Sequence, residues 1–121
     1  VAKPIRSLST DAHAALAQLR SICAALDHVE EALSFGNPAF KHRGKAFAVL
    51  DLYEGQDCLW LRVGLAERDD LLKIPGWFKA PYDPKGQALC CSLDRLDWRL
   101  LEPLIASSHH SVKPAGKIRA S

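Results

Sequence analysis

Residues 34–52 read SFGNPAFKHRGKAFAVLDL and constrain the fold more than any other stretch. Pro38 pushes Asn37 away from helical geometry, and Arg43-Gly44-Lys45 supplies residue types that reverse a chain. Short apolar runs flank that reversal, one over residues 39–42 and one over 46–53. Two such runs about a glycine turn predict a β-hairpin. Lys41, His42, Arg43 and Lys45 sit at or beside the turn and form the one concentrated basic cluster of the sequence.

Alternation predicts which side chains share a face. In the first arm Phe40 and His42 oppose Lys41 and Arg43. In the second, Phe47, Val49 and Tyr53 oppose Ala46, Ala48, Leu50 and Leu52, so this strand is apolar on both sides and is expected to be central or covered on both faces. Residues 54–57 are a polar turn into a third strand, with Leu59, Leu61 and Val63 toward the core and Cys58, Trp60 and Arg62 away from it.

The flanking segments read as helices and two more extended pieces. After a loose arm at residues 1–8, Ser9 or Thr10 is placed to cap a helix over 11–26, because Ala12, Ala15, Leu16, Leu19, Ile22, Cys23 and Leu26 recur at three- and four-residue steps. A short helix is expected over 67–74, stopped by Pro75-Gly76. Residues 77–79 are a brief extended piece, 80–86 a loop with two prolines, and 88–93 a strand in which Cys91 is expected to be buried and Cys90 more exposed. Asp97 caps a last helix over 98–108, where Pro103 predicts an irregular first turn or a start near Leu101. The expected order is helix, three strands, helix, two strands, helix. That is an α+β, two-layer architecture: an antiparallel five-stranded sheet with helices mainly on one face.

At 121 residues and 48% apolar content, a single domain over 1–121 is expected, with a core over about 10–110 and a basic tail over 111–121. The net charge of +2 is too small for composition alone to indicate a nucleic-acid binder, so any electrostatic function depends on where the charges sit. No apolar run approaches the ~20 residues that cross a bilayer. With no secretory signal, a cytoplasmic location and no membrane partner are expected. Cys23, Cys58, Cys90 and Cys91 lack the spacing of a metal knuckle and are expected to be reduced thiols packed as small hydrophobes. His109 and His110 are adjacent, about 100° apart on a helix, and cannot form a one-face zinc pair. His28 and His42 read as satisfied or exposed imidazoles. The chain carries no phosphate-binding glycine loop, nucleophile elbow or spaced ligand set, so no catalytic residue, metal or cofactor is expected.

The residues in their order also resemble a known family. Val29-Glu30-Glu31, Ser34-Phe35-Gly36-Asn37-Pro38-Ala39-Phe40, Gly44-Lys45 and Phe47-Ala48 are followed by Leu59-Trp60-Leu61-Arg62-Val63, Trp77-Phe78, Ala80-Pro81-Tyr82, Asp97-Trp98 and Val112-Lys113-Pro114. Together they resemble the MmcQ/YjbR family of small bacterial proteins, over about residues 10–119. The resemblance implies an α+β fold like the CyaY-like and secretion-chaperone-like architectures, and a proposed double-wing DNA-binding motif. Pro103 departs from the family pattern.

Two function classes follow, beside a third, an enzyme with a pocket between the sheet and residues 77–82, for which the sequence offers no reaction type. In the first, a non-enzymatic DNA-binding domain uses Lys41, Arg43 and Lys45 as one wing on the phosphate backbone. Lys79 and Lys85, in a loop beside Trp77, Phe78 and Tyr82, are the better second wing, because Glu54 and Asp57 at the other turn repel phosphate. Lys113, Lys117 and Arg119 add a third basic patch. The bland reading of each group is a solvated turn or a solubilising tail. The second class is a protein-interaction or chaperone-like module, or a homodimer, acting through an open sheet face with Cys58, Trp60, Arg62 and Cys90 as a semi-apolar platform.

Overall fold

The computed structural model describes residues 7–81 and 83–112. Helix α1 (Thr10–Cys23) begins after Ser9, whose Oγ accepts the Ala12 amide at 3.1 Å. Four strands then run in succession: β1 (Val29–Ser34), β2 (Asn37–His42), β3 (Lys45–Tyr53) and β4 (Gln56–Arg62). Helix α2 (Leu65–Leu72), β5 (Trp77–Lys79), β6 (Ala88–Ser92), a 3-10 turn (Leu93–Arg95) and α3 (Trp98–Ser111) complete the order.

The three hairpin turns share one chemistry. Phe35-Gly36, Arg43-Gly44 and Glu54-Gly55 each place a non-glycine residue at φ 51–54° before a glycine at φ 79–81°. Positive φ at both central positions defines the type I′ requirement, whose twist matches that of the strands it joins.

The sheet has six strands in the order β1-β2-β3-β4-β6-β5, every neighbouring pair antiparallel. The expectation of five strands misses β1. Glu30 and Glu31, both exposed, interrupt its apolar alternation; Glu31 accepts two hydrogen bonds from Arg20 of α1, at 2.9 and 2.7 Å. All three helices contribute to one core, where Leu16, Leu19, Leu71, Leu101 and Ile105 pack on Phe40, Leu50, Leu59, Leu61 and Leu89. A smaller cluster lies on the opposite face: Cys58, Ala80, Ala88 and Cys90, partly covered by Tyr53, Trp60 and Phe78.

Three finer expectations are overturned. Cys90 is as buried as Cys91, at 0% against 1% exposure, because the aromatic cluster covers the sheet face it occupies. Phe47 does not share a face with Val49: the register slips between Phe40 and Lys41, leaving Phe47 as an extra residue that joins Ala48 and Leu50 in the helix-side core. Helix α3 runs unbroken from Trp98 through Pro103. Arg99, whose carbonyl the proline cannot bond, lies with Pro103 on the exposed side, where water can replace the missing donor.

The bulge at Phe47 ends the β3–β4 ladder, whose last pair is Ala48 with Leu61. Ser108 of α3 fills the gap. Its Oγ accepts the Arg62 amide at 3.0 Å and donates to the Phe47 carbonyl at 2.6 Å, so a buried hydroxyl satisfies both strands.

Candidate functional site

Register fixes which residues share an end of the sheet. Val29 opposes His42, His42 opposes Lys45, Arg62 opposes Ala88 and Leu89 opposes Lys79, so the β2–β3 turn, the end of β4 and the 80–87 loop lie at one end. The Phe35-Gly36 and Glu54-Gly55 turns and the end of β6 lie at the other.

The expected first wing is a tight turn with distinct environments for its cations. Lys45 is exposed, with its strand pairing to His42. Arg43 is exposed too, yet its Nε donates to His42 Nε2 at 3.3 Å. Lys41 is half-buried on the open face, opposite Glu30 in register, and is the least available of the three. His42 is buried and bonded through Nδ1 to the His28 carbonyl at 3.1 Å, which fixes the proton on Nδ1 and leaves Nε2 to accept from Arg43. Its ring stacks on His109 of α3 at 3.9 Å between centroids. His109 donates through Nε2 to the Asp27 carbonyl at 2.6 Å, and Phe47 meets its edge at 5.1 Å. The base of the wing is thereby tied to α3 and to the connection before β1.

The expected second wing is at the same end. Lys79 closes β5, and Lys85 sits in a turn where Gly86 N–H bonds the Asp83 carbonyl at 3.0 Å. The Asp83 carboxylate accepts the Ala88 amide at 2.7 Å, which pins the loop to β6. Lys79 and Lys85 are exposed; Trp77 is buried in the helix-side core and Phe78 half-buried in the opposite cluster, so neither ring is presented for base stacking. Tyr82, Lys113, Lys117 and Arg119 lie outside the described residues.

Two arginines outside the expected wings join this end. Arg62 donates to the Ala46 carbonyl at 2.8 Å beside the bulge and lies 5.7 Å over Trp60. Arg68 of α2 donates to the Ala88 carbonyl at 3.2 Å. Alternation places Arg62 on the outward face, but both side chains are held by partners far away in sequence. Asp27, Glu30, Glu67 and Asp83 are the acids near this end. At the other end Asp11, Asp57 and Asp94 line one hollow of about 300 Å³, with Glu54 on the adjoining turn. Lys3, Arg6, Lys113, Lys117 and Arg119 fall outside the described residues and no acid does, leaving eleven Lys and Arg against fourteen Asp and Glu. Acids thus outnumber cations among the described residues, and any basic end depends on placement and not on a net excess.

The open face carries a groove of about 410 Å³ lined by Val49, Tyr53, Trp60 and Pro81, with Phe35 at its rim. Phe35 is 91% exposed. No cluster of three metal-ligating side chains occurs among the described residues, and no helix there is long and apolar enough to cross a membrane.

The model of the YjbR family matches residues 24–111. This chain belongs to the YjbR family. The matched span takes in every strand and the whole of α3, the elements that build both ends of the sheet. Solved structures share the YjbR architecture at low identity. A DUF419 protein from Deinococcus radiodurans aligns with a TM-score of 0.72 at 22% identity, over 86% of this chain and 82% of its own. A Pseudomonas syringae protein aligns at 0.62 and 17% identity, over 78% and 95%. A DUF1801-family protein from Bacillus subtilis aligns at 0.52 and 19%, over 82% and 79%. These likenesses carry the fold alone. No curated protein matches the chain.

Proposed function

We propose that this YjbR-family chain is a non-enzymatic DNA-binding domain that grips the phosphate backbone with the basic end of its sheet. The observation that carries this reading is the common location of Arg43, Lys45, Arg62, Lys79 and Lys85 at one end, opposite the acidic end. From β3 to β5 is three strand steps, roughly 14 Å at ~4.8 Å each. The two wings are thus spaced like the walls of the ~12 Å major groove. Lys113, Lys117 and Arg119 follow α3, whose His109 packs at this same end, and would extend the contact along the duplex.

The test is fluorescence anisotropy on a short DNA duplex. Arg43→Ala/Lys45→Ala is expected to weaken binding at least tenfold in low salt, and adding Lys41→Ala is expected to change little further, because Lys41 is half-buried opposite Glu30. Binding by the Lys41, Arg43 and Lys45 triple alanine variant that equals wild type, with the same salt slope, would remove the wing assignment.

The open-face groove favours a second reading. A knob, Phe35, beside a hole on one face is the self-complementary arrangement an isologous homodimer uses. This reading expects a dimer in sedimentation that survives 1 M salt, an order of magnitude beyond the range of screened surface charge, and is lost in Phe35→Ser. Wild-type monomer at high protein concentration contradicts it.

A further inference from the structure

The groove on the open face changes character along β3. Ala46, Val49, Asp51 and Tyr53 of that strand line it in turn, with Trp60 of β4 opposite Val49 in register. Its lining holds one carboxylate, Asp51, and no Lys, Arg or His. Asp51 Oδ1 accepts the Asn37 side-chain amide at 3.1 Å and the Leu52 N–H at 2.8 Å, which fix the group in place. A carboxylate offers roughly four lone-pair sites, so these two bonds do not exhaust it. A cation stands at the other end. Arg62 Nε donates to the Ala46 carbonyl at 2.8 Å and the guanidinium lies 5.7 Å over the Trp60 ring, so two lining residues hold it. Neither of its Nη groups has a hydrogen-bond or ion-pair partner among the described residues. From Ala46 to Asp51, allowing for the extra residue of the bulge, is about four strand steps, or roughly 13 Å at ~3.3 Å each.

We infer that this groove binds a free guanine mononucleotide, with its phosphate on Arg62, its base beside Trp60 and its guanine edge on Asp51. The groove asks for an anion, a flat aromatic body and hydrogen-bond donors, in that order. An extended mononucleotide supplies the three over the same length, and the groove volume of about 410 Å³ lies within the ~300–1,000 Å³ of small-molecule sites. With Nε anchored, Arg62 presents Nη1 and Nη2 as the fork that meets a phosphate through two bonds. Trp60 and Tyr53 offer ring surface to any base, so they contribute affinity without choice. The choice lies with Asp51. Guanine carries N1–H and its 2-amino group side by side, and one carboxylate accepts both. Adenine turns the N1 lone pair toward that carboxylate, and a site built to receive a hydrogen bond rejects a ligand that cannot give it. A lysine or arginine side chain suits the Asp51 end but brings like charge to Arg62.

The experiment titrates the native full chain, without DNA, with GMP, AMP and guanosine by isothermal calorimetry. GMP is expected to saturate a single site, with AMP at least tenfold weaker and guanosine, which lacks the phosphate, weaker by a similar factor. Arg62→Ala is expected to bring GMP down to the level of guanosine while keeping the preference for guanine. Asp51→Asn is expected to remove that preference. The wild-type nucleotide series decides the question even if a variant fails to fold. Equal affinity for GMP and AMP, or GMP affinity unchanged in Arg62→Ala, would each overturn the assignment. So would the absence of saturable GMP binding, and a dimer lost in Phe35→Ser would then give the groove to a second copy of the chain.

Discussion

Ser108 shows how much can rest on one hydroxyl. It stands in for a backbone pair, accepting from Arg62 N–H and donating to the Phe47 carbonyl where the bulge has parted β3 from β4. Ser108→Ala leaves a buried donor and a buried acceptor without partners, at about 1–3 kcal/mol each. A loss of about 2–4 kcal/mol is expected in urea unfolding. Nothing local in the sequence marks Ser108, because both partners lie more than forty residues away. The buried thiols set a second residue-scale expectation. Burial pushes Cys23 and Cys91 from an ordinary 9.0 up to about 11, with nearby carboxylates adding to the effect. A group whose folded pKa is raised contributes stability that is full below the unfolded value and lost as pH climbs through the folded one. Unfolding free energy is therefore expected to fall between about pH 9 and 11 and to fall less in Cys23→Ala, measured by denaturant melts across that range. A flat profile contradicts the burial of these thiols.

At the level of elements, sequence reading succeeded where signals were local. The β2–β3 turn, the stripe of α1, the Ser9 cap and the brief β5 all followed from spacing and residue type. It failed where distant partners decided: β1, with two exposed glutamates, is a strand only through its pairing with β2, the Phe47 bulge is completed by α3, and Cys90 is covered by rings from β3, β4 and β5. Of the candidate site, Arg43, Lys45, Lys79 and Lys85 were legible as exposed loop cations; Arg62 was legible only as an outward-facing residue of the sheet and Arg68 not at all, since backbone carbonyls on other strands position them. The β2–β3 turn also separates stability from binding. Arg43 sits at φ 54°, which costs a residue other than glycine, asparagine or aspartate roughly 1–2 kcal/mol. Arg43→Asn matches the type I′ preference and is expected to raise stability by about 0.5–1 kcal/mol while weakening DNA binding. If stability and affinity moved together, the turn would matter through folding alone. Pro103→Ala restores the donor missing inside α3 and is expected to add about 1–3 kcal/mol in the same melts.

For the molecule as a whole, the central claim is that charge segregated along the strand axis, and not charge in excess, makes a DNA-binding end. The described residues hold more acids than cations, so a protein acting through net charge would gain little from its folded body and would depend on its termini. Each phosphate neutralised contributes about −0.9 to the slope of log affinity against log salt. The direct measurement is that slope for wild type and for the Arg43, Lys45, Lys79 and Lys85 quadruple alanine variant on one duplex. Losing four contacts is expected to make the slope shallower by about 3.6. An unchanged slope, with binding lost only when residues 113–121 are removed, would place the contact in the tail and contradict the account.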